Sequence, residues 1–165
     1  MNIVITGEKG IGKTSVALGL LELMKTAQMQ VGGIICPGHK MRDVRTGEEV
    51  DFLVAREDST DKHTRTEHYG IDESKFTFAQ ERIAQVPEHS WIYFDEYGHL
   101  ETKKRGLYQA LSEHAENGRC IVLMKSKNLD SFFEHYQKPA LVYYVTIDNR
   151  NKVCKEIFDD IQGFQ

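Results

Sequence analysis

The chain has 165 residues, of which 40% are hydrophobic and 28% are charged, and its formal net charge is -4. This length suits one globular domain with a sizeable core, so we expect a single domain over residues 1–165. The charge balance excludes the strongly basic composition of a dedicated nucleic-acid-binding protein. We therefore expect no specific nucleic-acid partner.

Cysteine spacing and hydropathy indicate the compartment. Cys36, Cys120 and Cys154 are widely spaced and form no Cys-x-x-Cys pair, which argues against a disulfide framework or a zinc site. Cys36 and Cys120 stand in apolar runs and are predicted to be buried. The apolar runs are shorter than the roughly 18 residues of a membrane span, and the first residues do not resemble a signal peptide. We expect a cytoplasmic protein without membrane partners.

Short apolar runs alternate with longer amphipathic stretches, which predicts βαβ units and a mostly parallel sheet. The predicted strands are 3–6, 31–36, 91–94, 120–124 and 141–147. The predicted helices are 13–29, 76–85, 100–116 and 129–136. A last helix, capped by Asp148 or Asn149, follows with the apolar stripe Val153, Ile157 and Ile161.

A smaller β addition is expected after the second strand. Residues 43–46 and 49–55 flank Thr46-Gly47, and apolar residues alternate with polar ones from Val50 to Val54. This pattern predicts a hairpin with one half-buried strand. Residues 56–75 are polar and show no clear period, so no element is predicted there.

The strongest motif follows the first strand. The residues from Gly7 to Thr14 read GEKGIGKT and match the P-loop pattern G-x-x-x-x-G-K-[ST]. Glycines let successive backbone amides point at phosphate oxygens, and the following helix N-terminus favours an anion. The expected nucleotide-binding residues are Gly7, Glu8, Lys9, Gly10, Ile11, Gly12, Lys13, Thr14 and Ser15. Lys13 is expected to reach the β- and γ-phosphates, and Thr14 to bind Mg²⁺.

A second motif ends the strand predicted at 91–94. Two carboxylates, Asp95 and Glu96, follow the apolar run WIYF. Asp95 is expected to help hold Mg²⁺, and Glu96 to polarise the attacking water as a catalytic base. Asp95 to Gly98 also fits the D-x-x-G pattern of guanine-nucleotide switches. The N-K-x-D motif that such proteins use to read guanine is missing from the later segment KSKNLD, so we favour a site without strict guanine specificity.

Several segments in the same order resemble one family. They are the P-loop GEKGIGKT, the segment FDEYGHLE, the hairpin region GGIICPGHKMRDVRTGEEVDF and the terminal VTIDNRNKVCKEI. Together they resemble the P-loop nucleoside-triphosphatases first described from thermophiles, a family with an animal member called cancer-related nucleoside-triphosphatase. His99, Thr77 and Lys9 depart from the family's usual residues.

The resemblance implies a RecA-like α/β three-layer sandwich. It also implies slow, Mg²⁺-dependent hydrolysis of several nucleoside triphosphates to the diphosphate and phosphate. By position, residues 7–14 would bind the phosphates and Mg²⁺, and Asp95 and Glu96 would complete the site. From the two motifs, we expect Lys13 and Glu96 to be the catalytic residues and Thr14 and Asp95 to be the metal ligands.

Other side chains are weaker candidates for contacts with the nucleotide. Arg42 and Arg45 are possible sources of a second cation, against the alternative of solvent-facing arginines. Asn149 and Arg150 follow the last strand and could contact the base or ribose. Lys125 or Ser126, after the fourth strand, could sense the γ-phosphate. His99 is the one histidine close to the acidic motif.

Two other classes of function remain open on the sequence. A nucleotide or small-molecule kinase suits the chain length, although residues 56–65 are poor in arginine for a phosphate-covering lid. A nucleotide-gated module that binds a protein partner is also compatible with the P-loop. The identity of such a partner does not follow from the sequence.

Overall fold

The computed structural model describes residues 1–38, 40–58 and 69–164. The strands are β1 (Asn2–Gly7), β2 (Val31–Ile35), β3 (Lys40–Asp43), β4 (Glu49–Asp51), β5 (Leu53–Ala55), β6 (Tyr69–Ile71), β7 (Trp91–Tyr97), β8 (Cys120–Lys125) and β9 (Ala140–Tyr144). The α-helices are α1 (Lys13–Thr26), α2 (Phe76–Ala84), α3 (Tyr108–Asn117), α4 (Leu129–His135) and α5 (Val153–Gly163).

Seven strands form the main sheet in the order β4-β3-β2-β7-β8-β1-β9. The five strands from β2 to β9 in this order are mutually parallel, and the hairpin β3-β4 extends one edge in antiparallel fashion. Strands β5 and β6 pair separately as a two-stranded antiparallel ribbon. The predicted α/β fold with a mostly parallel sheet and a small hairpin addition is therefore confirmed.

Two hydrophobic cores lie on opposite faces of the sheet, which gives three layers. Ile3 and Ile5 of β1 pack into the core that includes residues of α1 and α5. Val4, between them, packs into the core that includes residues of α2, α3 and α4. Because both faces are covered, the central strands read as continuous apolar runs instead of alternating with polar residues.

The parallel arrangement places the carboxyl ends of four strands, and the loops that follow them, on the same side of the molecule. The P-loop follows β1, the acidic pair ends β7, Lys125 ends β8, and residues 145–152 follow β9. In open α/β sheets ligands bind outside the carboxyl ends of the strands. The topology therefore places the sequence motifs together although they are far apart in the chain.

The hairpin and the ribbon differ from the predicted elements. The first hairpin strand is Lys40–Asp43, and residues 44–48, with a turn at 44–46, connect it to β4. Asp43 sets this turn, because its carboxylate accepts hydrogen bonds from the Arg45 amide at 3.0 Å and the Thr46 hydroxyl at 2.8 Å. The strand predicted at 49–55 is interrupted at Phe52, which divides it into β4 and β5. Of the segment left without prediction, residues 69–71 form β6, and 59–68 lie outside the described residues.

The prediction of a helix over residues 100–116 is wrong for the first half of this range. Residues Glu101–Lys103 form a 3-10 turn, and α3 begins only at Tyr108. Lys104 and Gly106 adopt left-handed φ angles of 58° and 62°, which a continuous helix does not allow. The buried Glu101 carboxylate holds this loop by accepting hydrogen bonds from the amides of Gly98 and Leu107, at 3.0 and 3.1 Å.

The end of the chain also differs from the prediction. Strand β9 ends at Tyr144, three residues earlier than expected, and α5 begins at Val153 without a side-chain cap. Asn149 instead closes the intervening turn. Its side-chain nitrogen donates to the Tyr144 carbonyl at 2.7 Å, and its side-chain oxygen accepts from the backbone amide of Thr146 at 2.8 Å. Helix α1 ends at Thr26, before the predicted Met29.

The three cysteines are free thiols; Cys120 is buried and Cys36 is half-buried. Within the described ranges, none of the helices has the length and apolar character required to cross a membrane.

Candidate functional site

The P-loop has a backbone that requires its glycines. Gly10 and Gly12 have left-handed φ angles of 77° and 105°. Gly7, with φ at 150°, lies so close to the loop after β9 that an added Cβ would be 2.8 Å from the Val145 carbonyl oxygen. This arrangement curls the loop from the end of β1 into the N-terminus of α1, the geometry that binds phosphate.

Lys13 lies across the inside of the loop. Its ammonium donates hydrogen bonds to the carbonyl oxygens of Gly7 at 2.9 Å and Glu8 at 2.8 Å. Desolvation lowers the pKa of Lys13, and the nearby Asp95 carboxylate opposes this shift. A cation that is partly shielded from water beside the loop amides is suited to bind phosphate oxygens.

Asp95 connects the P-loop to β7. Its Oδ2 accepts a hydrogen bond from the Thr14 hydroxyl at 3.3 Å, across 81 residues of sequence, and another from the Cys36 amide at 2.8 Å. Burial raises the pKa of Asp95 to about 7, and the Cys36 amide opposes the shift. The predicted metal ligands Thr14 and Asp95 are therefore adjacent.

Glu96 lies in a β-bulge of β7, which sets the direction of its side chain. Asp95 and Glu96 together oppose Leu123 of β8, because the register shifts between Phe94, opposite Val122, and Tyr97, opposite Met124. Glu96 has a left-handed φ of 78° and an exposed side chain that lines the site. Although the side chain is open to the cavity, the protein atoms around its carboxylate raise the pKa of Glu96 by desolvation, and the positive charge of Lys125 is the main opposing effect. Bulges commonly re-aim a side chain beside an active site.

The strand order places Lys125 beside the P-loop. Because β8 lies between β1 and β7, Lys125 pairs in register with Gly7. Its charge lowers the pKa of Lys13 as well as that of Glu96, so the two lysines share one electrostatic environment. Lys125 is half-buried and lines the same cavity as Lys13 and Glu96.

The weaker candidates are distributed around this centre. Arg42 forms an ion pair with Glu49 at 2.6 Å, and Arg45 donates to the Gln85 carbonyl, so both stabilise the hairpin in this conformation. Arg150 is beside the P-loop: an added Cβ at Gly12 would be 3.9 Å from its Cδ. Ser126 begins a 3-10 turn directly after Lys125, and His99 lines the cavity.

Three hydrogen-bonding groups that hold the site in place were not predicted from the sequence. The Cys36 amide is a donor to Asp95, the Glu101 carboxylate holds the loop after β7, and the Asn128 side chain donates to the Tyr97 carbonyl at 3.0 Å. Each depends on tertiary contacts of the backbone. The sequence offers no signal for the Cys36 amide, whereas the acidic and amide residues after apolar strands were visible but ambiguous.

The oxygen ligands present fit magnesium better than a transition metal. In the described ranges no group of three or more His, Cys, Asp or Glu side chains could hold a metal ion. The Thr14 hydroxyl and Asp95 carboxylate are instead two hard oxygen donors within hydrogen-bond distance of each other. Mg²⁺ in nucleotide sites is commonly held by one or two such oxygens together with phosphate oxygens and water.

The chain is similar to named proteins along nearly its whole length. Residues 2–158 match the model of a family described as NTPase. Nucleoside-triphosphatase THEP1 of Methanocaldococcus jannaschii is 28% identical over 173 residues, covering 98% of this chain and 97% of that protein. The protein of the same name from Methanopyrus kandleri is 26% identical over 174 residues, covering 97% and 94%.

Two solved structures share the fold. A human cancer-related nucleoside triphosphatase superposes with a TM-score of 0.81 at 16% identity, covering 99% of this chain and 98% of that one. THEP1 from the hyperthermophile Aquifex aeolicus superposes with a TM-score of 0.77 at 17% identity, covering 96% and 98%. The family match spans the P-loop and the acidic pair alike, and the chain therefore belongs to the NTPase family.

Proposed function

We propose that this protein hydrolyses nucleoside triphosphates in a Mg²⁺-dependent reaction with broad base specificity, releasing the diphosphate and phosphate. The observation that supports this most directly is the hydrogen bond between Thr14 and Asp95, with Glu96 as the next residue. It joins a phosphate-binding loop, a pair of metal-binding oxygens and a candidate base. The names of the THEP1 relatives agree with this activity.

Phosphate binding is assigned to residues 7–15. The loop amides and the N-terminus of α1 would bind the β-phosphate, and Lys13 would exchange its bonds to the Gly7 and Glu8 carbonyls for bonds to phosphate oxygens. Thr14 and Asp95 would hold Mg²⁺. The metal would supply positive charge against the β- and γ-phosphates, which carry charge in the transition state.

Glu96 is assigned as the base for the attacking water. It follows the metal-binding Asp95 directly, and the bulge turns it into the cavity beyond Thr14. A carboxylate with a raised pKa is a better proton acceptor than one fully hydrated. Glu96 would therefore take a proton from water as its oxygen attacks the γ-phosphorus.

Lys125 is assigned as the second cation of the reaction. Phosphoryl transfer commonly uses one positive charge beyond the P-loop lysine and the metal. Arg42 is paired with Glu49, whereas the charge of Lys125 acts on both Lys13 and Glu96. Lys125 therefore replaces the two hairpin arginines as the preferred candidate.

Broad base specificity is supported by the surface beside the P-loop where the nucleoside would lie. The loop after β9 lies beside the P-loop: a Cβ added at Gly7 would be 2.8 Å from the Val145 carbonyl oxygen, and one added at Gly12 would be 3.9 Å from Arg150 Cδ. Ile147 in this loop is 71% exposed, and Arg150 is also exposed. An open apolar and cationic surface can contact the face of any base, whereas strict selection needs buried hydrogen-bonding groups.

The proposal is tested by phosphate release from ATP, GTP, CTP and UTP, with Mg²⁺ or with EDTA, for the wild type, Lys13→Ala and the exposed control Lys25→Ala. We expect kcat/KM values within about tenfold across the four substrates, a difference of about 1.4 kcal/mol. EDTA and Lys13→Ala should each abolish release, and Lys25→Ala should not. A preference of about a hundredfold for one base would contradict broad specificity.

A further inference from the structure

A cavity of about 540 Å³ extends from the phosphate site. Lys13, Thr14, Asp95 and Glu96 line one end of it. In a P-loop the lysine reaches the β- and γ-phosphates and the threonine binds the metal between them, so this end lies at the γ-phosphate. The loop after β9, where the nucleoside is expected, contributes no residue to the described lining of the cavity. The cavity therefore continues beyond the γ-phosphate, away from the nucleoside.

The far wall of the cavity is apolar. Side chains of the β5-β6 ribbon, of the residue before it and of the helical segments around it form this wall: Phe52, Leu53, Ile71, Phe76, Leu100 and Leu107. The attacking water and the terminal phosphate need only a fraction of this space. Cavities of about 300–1,000 Å³ with mostly apolar walls and a few convergent polar groups are typical of sites for organic ligands.

The charge distribution restricts the class of ligand. Glu101 also lines the cavity, but its two carboxylate oxygens already accept the amides of Gly98 and Leu107. Four lysines are in the lining, and they belong to the P-loop or to the end of β8 and the turn after it, at the phosphate end: Lys9, Lys13, Lys125 and Lys127. A ligand with an apolar body against the far wall and one polar group toward Glu96 matches this distribution.

We propose that the cavity binds a neutral organic alcohol whose hydroxyl group accepts the γ-phosphoryl group in place of water. This inference depends on the proposed function, because it uses the same bound triphosphate and the same base. The alcohol lies with its apolar body against the wall described above and its hydroxyl group beside Glu96. The protein would then act as a small-molecule phosphotransferase, and hydrolysis would be the reaction that occurs when the alcohol is absent.

The step is balanced with these reactants. The alcohol oxygen forms a bond to the γ-phosphorus as the bond from that phosphorus to the β–γ bridging oxygen breaks. The electron pair of the broken bond stays with the departing nucleoside diphosphate. The hydroxyl proton passes to Glu96, as it would from water. The products are an alkyl phosphate and the diphosphate, with no oxidant or reductant required.

The test is the ratio of alkyl phosphate to inorganic phosphate, formed from MgATP in the presence of equal concentrations of methanol, 1-butanol, 1-hexanol or 3-phenylpropan-1-ol. Phosphorus NMR measures both products in one sample. If the wall binds the chain, the ratio should rise about threefold to fourfold for each buried methylene group, the factor that corresponds to about 0.8 kcal/mol. The same ratio for methanol and the longer alcohols would overturn the proposal.

Two variants check that the cavity causes the dependence on chain length. Leu53→Asn places an amide on the apolar wall and should flatten the dependence. Leu18→Asn, a half-buried leucine on the opposite face of the sheet, should retain it. A dependence that persists unchanged in Leu53→Asn would also overturn the proposal.

The outcome for hydrolysis is separate. Normal phosphate release without alkyl phosphate would reject the acceptor site and would still support hydrolysis as the activity of the protein. Alkyl phosphate without phosphate release in alcohol-free samples would support the acceptor site and reject hydrolysis as an activity of the protein. Neither product would reject both.

Discussion

At the scale of single residues, Glu96 combines an unusual backbone with an exposed side chain. A left-handed conformation costs a non-glycine residue roughly 1–2 kcal/mol, and Glu96 adopts it at φ 78°. Glu96 lies in the bulge of β7, between Phe94 and Tyr97, which both pair in register with β8. Strained residues of this kind concentrate at functional sites, where surrounding structure enforces them. The conformation therefore supports assigning Glu96 a role in chemistry.

Lys125 is the residue whose assignment the structure changes most. We expect Lys125→Met to lower kcat for ATP hydrolysis by about 10²-fold, the range found when one group that stabilises transition-state charge is removed. The affinity for MgATP should fall much less, because the loop amides and Lys13 remain. Lys155→Met, an exposed lysine of α5, is the matched control. Steady-state kinetics with parallel nucleotide titration separates the two effects, and an unchanged kcat in Lys125→Met would contradict the assignment.

Asp95 links stability to pH. Its folded pKa of about 7 is raised above the usual value near 3.9, so the fold prefers the protonated carboxyl. The associated stability is fully present below the unfolded pKa, and it is lost as the pH rises through about 7. Deprotonation is also what metal binding requires. In the Mg²⁺-free protein, Asp95 should therefore contribute less stability at pH 8 than near pH 5.

Asp95→Asn tests this because asparagine stays neutral at every pH. Without Mg²⁺, we expect its Tm to exceed that of the wild type at about pH 8 and the difference to shrink at about pH 5.5. Each kcal/mol of destabilisation removed corresponds to about 2–4 °C for a chain of this size. Asp159→Asn, an exposed carboxylate of α5, should show no such trend in thermal melts. A Tm difference independent of pH would refute the linkage.

At the scale of elements, the contact between β2 and β7 positions the metal site. Gly33, with φ at 95°, lies so close to β7 that an added Cβ would be 2.3 Å from the Tyr93 carbonyl oxygen. Three residues later the Cys36 amide donates to Asp95. The close approach of the two strands therefore fixes the distance between the end of β2 and the acidic pair.

Gly33→Ala and Gly47→Ala separate close packing from backbone strain. Both glycines have left-handed φ angles, 95° and 77°, but nothing lies within 4 Å of a Cβ added at Gly47. We expect Gly47→Ala to cost about 1–2 kcal/mol in the free energy of unfolding, from strain alone. Gly33→Ala should cost about 1–3 kcal/mol more, because the strands must separate. Guanidinium unfolding measures both, and equal losses would show that the strand contact is not limiting.

The elements also show where sequence periodicity fails. Residues 100–116 have helical spacing of apolar side chains, yet the first part forms a loop. That loop depends on the Glu101 carboxylate and on the left-handed backbone conformation of Lys104. The spacing of apolar residues along the sequence reveals neither of them. Similarly, Asn149 reads as a helix cap but closes a turn before α5. Local side-chain bonds to the backbone compete with helix formation in both places.

At the scale of the whole molecule, the sequence predicted the parallel sheet and the strands that carry the motifs. Buried parallel strands and the P-loop have strong local patterns, which explains this success. The strand order has no local pattern. The insertion of β8 between β1 and β7 pairs Lys125 with Gly7, and it could not be read from periodicity. The cavity beyond the γ-phosphate likewise forms from the β5-β6 ribbon, of which residues 69–71 had no predicted structure.

We propose that the P-loop and the acidic pair form one hydrolytic site in which Glu96 acts as the base. The most direct test compares MgATP binding and phosphate release for the wild type, Glu96→Gln and Glu81→Gln, an exposed glutamate of α2. We predict that Glu96→Gln binds MgATP with nearly wild-type affinity and releases phosphate about 10²–10⁴-fold more slowly, while Glu81→Gln matches the wild type. Phosphate release by Glu96→Gln at the wild-type rate would show that Glu96 is not the base.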